Sequence, residues 1–162
     1  MINSPLFVGE YELTIDEKSR LSIPADVRRL LDPERDGKCF FLVFGLNRKP
    51  WLYTEKRFEY LAEQVPADIA PGPETLKYDQ LTFALANRVE MDKQGRVLIP
   101  DKTKRRTGLG NVITLFGARD HLELWNREEF EKFMAENHGQ IGEVAQEAKH
   151  QRQAVMVPRP TL

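Results

Sequence analysis

A nine-residue motif that occurs twice constrains the fold of this chain more than any other feature. The first copy spans residues 16–24 (DEKSRLSIP), and the second spans residues 92–100 (DKQGRVLIP), 76 positions later. The two copies share Asp, Arg, Ile and Pro at the same spacing, and both lead into a basic stretch. A repeat at a fixed spacing indicates that one structural unit has been duplicated.

The similarity continues downstream at a slightly shorter spacing. Phe44 matches Phe116 and Phe58 matches Phe130, and each pair is 72 positions apart. The first copy therefore holds four extra residues, which we assign to a loop at residues 32–37 because Asp, Pro and Gly favour turns. A unit of about 50 residues is marginal by itself, so we expect the two copies to share one core.

The residue pattern within one unit predicts alternating strands and short helices. Leu21 and Ile23 should face the core while Arg20 faces solvent, since alternate residues of a strand point to opposite sides. Pro24 is expected at the first position of a helix, and Thr54 is expected to cap another. We predict strands at 8–15, 20–23, 39–44 and 51–53 with helices at 25–31 and from Thr54 to 65, then strands at 88–91, 96–99, 112–116 and 122–125 with helices at 101–107 and after Asn126.

Four segments follow from this pattern. We expect a first repeat at residues 7–66, a connector with a helix at 67–86, a second repeat at 87–137, and a final helix and tail at 138–162. The stretch 66–73 is rich in proline and should be stiff. Helices are predicted at 74–87 and 140–153, and residues 154–162 show no clear structural signal.

The composition is that of an ordinary globular protein. Of the 162 residues, 41% are hydrophobic and 30% are charged. The longest apolar stretch, residues 39–46, is far shorter than the ~20 residues of a membrane span, and the first residues lack the pattern of a secretory signal. The single cysteine, Cys39, excludes an internal disulfide, so we expect a reducing cytoplasm.

The charge balance hides an uneven distribution. The net charge of −1 argues, taken as a whole, against a nucleic-acid-binding protein. Residues 18–49 nevertheless carry a net +4 and residues 93–106 a net +5, whereas residues 120–150 carry a net −5. This asymmetry can concentrate a positive field on one face, although a charged run can equally be solvated surface.

No familiar catalytic or metal-binding pattern is present in the sequence. The three histidines lack metal-ligand spacing, and the Gly-Leu-Gly at residues 108–110 is too short for a phosphate loop. There is no nucleophile elbow, and Cys39 lies in an apolar run that favours the core. We therefore expect no enzymatic activity, metal, cofactor or small-molecule substrate.

The doubled motif Asp-x-x-Gly-Arg-x-x-Ile-Pro, followed each time by a strand pair and a helix, resembles the MraZ family within the AbrB-like group. The resemblance extends from about Phe7 to Met134. It implies an α+β fold that is mainly β: a swapped-hairpin (AbrB or double-psi-like) β-barrel built from two tandem βαββα repeats in one chain. It also implies a nucleoid-associated bacterial regulator of the division and cell-wall gene cluster, including its own promoter, that binds direct repeats in double-stranded DNA as a ring-like homo-oligomer.

The resemblance places the motif arginines, Arg20 and Arg96, at the DNA, carried on β-hairpins. A two-stranded ribbon fits the major groove, where an arginine can bind guanine O6 and N7 together. Further basic residues would hold phosphates and set the register. Alternatively, each arginine could pair with the motif aspartate and only stiffen its turn. The expected DNA-binding residues are Lys18, Arg20, Arg28, Arg29, Lys93, Arg96, Lys102, Lys104 and Arg105.

Two positions depart from the family pattern. Ser19 stands where the motif has glycine, so its turn must avoid a positive φ or tolerate one at some cost. Thr103 and Lys104 stand where an apolar residue and arginine are usual. The residues around the short helix of the second repeat could therefore bind DNA more weakly than those of the first.

A second function remains open on the same fold. Related barrels serve as antitoxins or scaffolds whose extension wraps a partner protein, and residues 140–162 could be such an extension. The doubled motif argues against this alternative. An enzyme on a related barrel has no supporting set of nucleophile and base.

Overall fold

The computed structural model describes residues 4–65 and 67–156, with side chains as far as residue 153. The chain divides into two compact units, one ending at Arg127 and one beginning at Glu128. The first unit contains β1 (Glu10–Thr14), β2 (Arg20–Ser22), α1 (Ala25–Leu30), α2 (Pro33–Asp36), β3 (Cys39–Phe44), β4 (Pro50–Thr54), α3 (Glu55–Glu63), α4 (Pro73–Leu85), β5 (Asn87–Glu90), β6 (Arg96–Leu98), α5 (Asp101–Thr107), β7 (Val112–Gly117) and β8 (Leu122–Asn126).

The second unit is helical. It is made of α6 (Arg127–Asn137), which begins at the boundary, a 3-10 turn (His138–Gln140) and α7 (Ile141–Met156). Phe130 of α6 is buried, whereas Ile141 and Val144 of α7 are 75% and 56% exposed. The predicted final helix is therefore confirmed, and residues 157–162 of the predicted tail lie outside the described residues.

The two repeats exchange strands. The large sheet has six antiparallel strands in the order β1-β7-β8-β4-β3-β5, and β2 and β6 form a separate two-stranded sheet. β1 of the first repeat thus pairs with β7 of the second, and β5 of the second pairs with β3 of the first. The α+β class is as predicted, and the large sheet is antiparallel throughout; helices nevertheless hold more of the described residues than strands do. The hydrogen-bonded ladders described here leave β1 and β5 as edges of the large sheet.

Corresponding residues of the repeats meet on a pseudo-twofold axis. Leu21 lies opposite Val97 in the β2–β6 pair, and these residues occupy the same position of the motif. Trp51 lies opposite Glu123 in the β4–β8 pair, again at corresponding positions. The duplication seen in the sequence is therefore a near-symmetric duplication in space.

One hydrophobic core serves both repeats, as predicted. Leu21 and Val97 are 0% exposed, and the next inward residues, Ile23 and Ile99, are 2% and 0% exposed. The same cluster contains Leu42, Leu52, Ile113, Leu115, Leu122 and Leu124. Burial of each such side chain stabilises the fold by about 1.5–3 kcal/mol. Neither repeat alone holds enough of these residues to form this core.

Several local expectations need correction. The extra residues of the first repeat form a helical turn, α2, whose amino end is capped by Asp32 accepting a 2.9 Å bond from the Glu34 N–H. Pro24 caps α1 from one residue outside the helix, and the Thr54 side chain makes no capping bond to α3. The helix α3 ends at Glu63, so Val65 lies beyond it and is 43% exposed.

Candidate nucleic-acid interface

The motif aspartate of the first repeat builds a tight turn around the motif arginine. Asp16 Oδ1 accepts the backbone N–H groups of Lys18 and Arg20, both at 2.9 Å, and Oδ2 accepts Arg20 Nε at 2.8 Å. The pKa of Asp16 is lowered, first by the backbone N–H of Arg20 and then by its side chain. The aspartate therefore forms the turn, because its carboxylate accepts backbone N–H groups two and four residues further along the chain.

The second repeat reproduces this arrangement. Asp92 Oδ1 accepts the backbone N–H groups of Gln94 and Arg96 at 2.9 and 3.0 Å, and Oδ2 accepts Arg96 Nε at 2.8 Å. The pKa of Asp92 is lowered by the same set of bonds. In both copies the aspartate holds only Nε of the arginine, and within the described residues the two terminal nitrogens have no hydrogen-bond partner.

The two arginines share the outer face of one ribbon. Because Leu21 and Val97 point into the core, the neighbours Arg20 and Arg96 point outward. Arg20 lies opposite Leu98 and Arg96 lies opposite Ser22, so the arginines occupy diagonal corners. The Cα atoms of such diagonal neighbours are about 7–8 Å apart.

The ribbon differs from the predicted hairpin. Each motif strand follows its own turn, but its pairing partner is the motif strand of the other repeat: β2 pairs with β6. The expected reading element, a local hairpin in each repeat, is thus one ribbon built jointly by the two repeats. Ser22 lies on this face beside Arg20, as the alternation within the motif predicts. The 56% exposed Leu98 also belongs to it and was not singled out from the sequence, although the same alternation in the second copy points to it.

Each turn is tied to the opposite repeat by a backbone bond. The Ile23 N–H donates to the Gly95 carbonyl at 2.9 Å, and the Ile99 N–H donates to the Ser19 carbonyl at 2.8 Å. The two turns are therefore fixed relative to each other, and with them the separation of the two arginines.

The glycine of the second turn is required by its neighbour as well as by its backbone. Gly95 has φ of +77° and is buried. A Cβ at this position would lie 2.8 Å from Cδ and Nε of Arg28. Arg28 is itself anchored, since its Nε donates to the Ile23 carbonyl at 3.0 Å. Arg28, expected at DNA, thus lies across the turn of the opposite repeat.

The first departure from the family pattern, Ser19, contacts the helix that carries the second, α5. Ser19 adopts φ of +58°, so its turn tolerates a positive φ, and its hydroxyl donates to Asp101 Oδ1 at 3.1 Å. Lys104, at the position corresponding to Arg28, donates instead to Asn111 Oδ1 at 2.8 Å. Lysine is shorter than arginine, and Lys104 is held by Asn111. This is consistent with a side chain at position 19, whereas Arg28 requires glycine at position 95.

The remaining predicted residues fall into two groups. Lys18 and Lys93 lie in the two motif turns and are exposed. Arg29 lies on α1, where it pairs with Asp26 at 2.8 Å. Lys102 and Arg105 are exposed on α5, and Lys104 of the same helix is partly buried. Both helices begin immediately after the ribbon strands, so these cations flank its ends.

The described part of the chain shows no arrangement for a metal ion or a membrane span. Among residues 4–65 and 67–156, no group of three or more His, Cys, Asp or Glu side chains is arranged to hold a metal ion. Burial raises the pKa of the Cys39 thiol to about 11. No helix of the described residues is long and apolar enough to cross a membrane.

Comparison with known sequences gives a consistent picture. The sequence model of a family described as "MraZ protein, putative antitoxin-like" matches residues 6–76 and 82–152. A protein of Mycoplasmoides gallisepticum named "Transcriptional regulator MraZ" is 32% identical over 141 residues, which are 87% of this chain and 96% of the relative. A protein of the same name from Dictyoglomus thermophilum is 34% identical over 132 residues, covering 81% of this chain and 86% of the relative.

Proposed function

The chain belongs to the MraZ family, and we propose that it regulates transcription by binding direct repeats in double-stranded DNA through its two motif arginines. The proposed targets are promoters of the division and cell-wall gene cluster, including that of its own gene. The protein would act in the cytoplasm, at the nucleoid. This proposal is supported by the names of the relatives and by the paired arginines of the ribbon.

The observation that carries the proposal is that each motif arginine is held by its motif aspartate in the same way. Asp16 and Asp92 bind Nε of Arg20 and Arg96, and the terminal nitrogens of each guanidinium have no hydrogen-bond partner among the described residues. An arginine held in this way loses less conformational freedom when it binds guanine O6 and N7. The aspartate pairing offered above as an alternative to DNA contact is thus compatible with it.

Affinity would come from the flanking cations and from several copies of the chain. Lys18, Arg28, Arg29, Lys93, Lys102, Lys104 and Arg105 are proposed to contact phosphates. A single subunit with about three such contacts binds weakly at physiological salt. A ring-like homo-oligomer that presents several ribbons to spaced repeats gains affinity through effective concentration. We therefore propose self-association as part of the function.

The proposed domain arrangement follows the exchanged strands. Residues 7–66 and 87–137 would form the two halves of a swapped-hairpin barrel, in which the β2–β6 ribbon completes the core of the six-stranded sheet. Residues 67–86 would connect the halves, and residues 138–162 would form the final helix and tail. The exchange of β1 and β5 supports this arrangement.

The decisive test is fluorescence anisotropy with a duplex from upstream of the gene and a scrambled duplex, each over a salt series. The wild-type chain should prefer the native duplex, with affinity falling steeply as salt rises. In the variant Arg20→Ala/Arg96→Ala, each lost arginine should reduce discrimination by about tenfold or more.

The control variant Lys56→Ala/Lys132→Ala removes the same charge from α3 and α6 and should keep the preference. An unchanged preference in the arginine variant, with its fold intact, would contradict the proposed role of the ribbon.

A partner-binding role remains the second candidate. The description of the matched family includes the term antitoxin-like, and α7 exposes Ile141 and Val144. If the wild-type chain shows no preference for its own promoter, residues 138–162 become the first segment to test for capture of a protein partner.

A further inference from the structure

An aromatic groove with a volume of 310 Å³ lies between β3, β4, α3 and α4. The rings that line it come from both strands and both helices. Phe58 of α3 and Phe83 of α4 face each other edge to face, with ring centroids 6.2 Å apart. Leu46, Trp51, Tyr53 and Tyr78 contribute further apolar surface. We call this feature the aromatic groove.

A carboxylate in the aromatic groove has an oxygen without a partner. Asp79 of α4 lines the groove, and its Oδ1 is shielded from solvent with no hydrogen-bond partner among the described residues. The basic residue of α4, Lys77, lies instead 3.9 Å from Glu74. A buried carboxylate oxygen is strongly favoured to bind a donor, and most strongly a cation. The groove therefore has the chemistry to accept an arginine or lysine side chain.

The rim of the groove is apolar and exposed. Leu46, Tyr78 and Phe83 are 84%, 51% and 47% exposed, and no residue of α4 is buried. Contiguous exposed apolar surface of this kind marks a site of interaction. Aromatic side chains around a groove suit an extended proline-rich segment, since prolines pack against rings and fix the peptide backbone.

The sequence of this chain contains such a segment. Residues 157–162 read Val-Pro-Arg-Pro-Thr-Leu and lie outside the described residues. Pro158 and Pro160 favour an extended backbone at the residues that precede them, including Arg159. The match to the family model ends at residue 152, so this segment is not part of what that model describes.

We propose that the aromatic groove of one copy binds residues 157–162 of a second copy. The guanidinium of Arg159 donates to Asp79 Oδ1, and Pro158 and Pro160 pack against the rings of the groove. The contact satisfies the buried carboxylate and covers the exposed rim. It links one copy to the next without using the ribbon, and it is independent of DNA.

The test is anisotropy of a fluorescein-labelled peptide of residues 154–162 added to the full-length variant Arg159→Ala, in which the chain's own segment cannot compete. The wild-type peptide should bind saturably. A peptide with Arg159→Ala should bind about tenfold or more weakly, and one with Arg159→Lys should retain part of the affinity. These peptide changes leave the receptor unaltered, so the result does not depend on how a receptor variant folds.

Receptor variants locate the contact. Asp79→Asn, made in the Arg159→Ala receptor, should weaken binding of the wild-type peptide about tenfold or more. Glu74→Gln, the same change on the same helix at an 89% exposed side chain, should leave binding unchanged. Equal binding by the wild-type and Arg159→Ala peptides, or no loss with a folded Asp79→Asn receptor, would overturn the proposal.

Competition in the wild-type chain tests whether the contact is between copies. At low protein concentration the wild-type chain should bind the labelled peptide as well as the Arg159→Ala variant does, and at high concentration it should bind less than that variant, because segments of neighbouring copies then fill the grooves. A deficit of the same size already present at the lowest concentration would assign the segment to its own groove and overturn the contact between copies. Because no DNA is present, failure here is distinct from failure of the arginine ribbon.

Discussion

Replacing Gly95 with alanine probes the link between the two motif turns. The residue has φ of +77°, and its Cβ would lie 2.8 Å from Cδ and Nε of Arg28. The corresponding change, Ser19→Ala, starts from a residue that already has a Cβ at φ of +58°. The same substitution at two symmetry-related positions should therefore have unequal effects.

The expected magnitude for Gly95→Ala combines three contributions. A side chain in the left-handed region costs about 1–2 kcal/mol. Displacing Arg28 breaks its 3.0 Å bond to the Ile23 carbonyl, which contributes about 1 kcal/mol. Alanine has less conformational freedom than glycine in the unfolded chain, and this offsets about 0.4–1 kcal/mol of the loss. The net loss is about 1–2.6 kcal/mol, whereas Ser19→Ala loses only an exposed bond to Asp101 and should cost less than about 1 kcal/mol.

Urea denaturation of the single variants and of Arg28→Ala/Gly95→Ala measures these values. With a slope of about 2 kcal/mol per molar urea, Gly95→Ala should lower the midpoint by about 0.5–1.3 M. In the Arg28→Ala background the cost of Gly95→Ala should fall by about 1 kcal/mol, since the obstructing side chain is gone. Equal costs at positions 19 and 95, or no coupling with Arg28, would refute the reasoning.

Three further predictions follow from the buried groups. Cys39 should react only slowly with a thiol reagent at pH 8 in the native chain and rapidly once the chain is unfolded in urea, because burial raises its pKa to about 11. Leu52→Ala should lower the free energy of unfolding by about 2–5 kcal/mol in urea titrations, because Leu52 is 0% exposed at the seam between the repeats. Burial opposes the charge of His121, but bonds to Asp120 at 2.9 Å and Glu123 at 3.1 Å raise its pKa. The resulting stabilisation is complete below the ordinary histidine pKa near 6.5 and is lost as pH rises through the raised value, so titrations across this range should show falling stability that His121→Gln largely removes.

Most local structure was predictable because neighbouring residues determine it. The strand at Cys39–Phe44 and the helix at Asp101–Thr107 have the predicted bounds. The two motif turns also form where Asp16 and Asp92 indicate, because an aspartate can accept bonds from backbone groups only two and four residues away. The helical turn α2 was missed because Asp, Pro and Gly favour loops and helix starts alike.

For the candidate site, the sequence identified the motif arginines, their turns and the basic residues near them. It predicted an arginine-bearing hairpin in each repeat, whereas the arginines lie on one ribbon shared by both. The alternation of residues predicts that Leu21 faces the core, but it does not predict which strand pairs with β2. The roles of Arg28 and Asp79 were equally hidden, since each depends on contacts with distant parts of the chain.

The duplication, the local elements and the inward residues can be predicted from the order of the amino acids, because they depend on spacing and on short-range backbone chemistry. The pairing of β1 with β7 and of β5 with β3, and the shared face of Arg20 and Arg96, emerge only in the folded chain. Strand pairing forms hydrogen bonds between backbone groups, which are nearly alike in every strand. The choice among partners is therefore made by how the whole chain buries its apolar side chains.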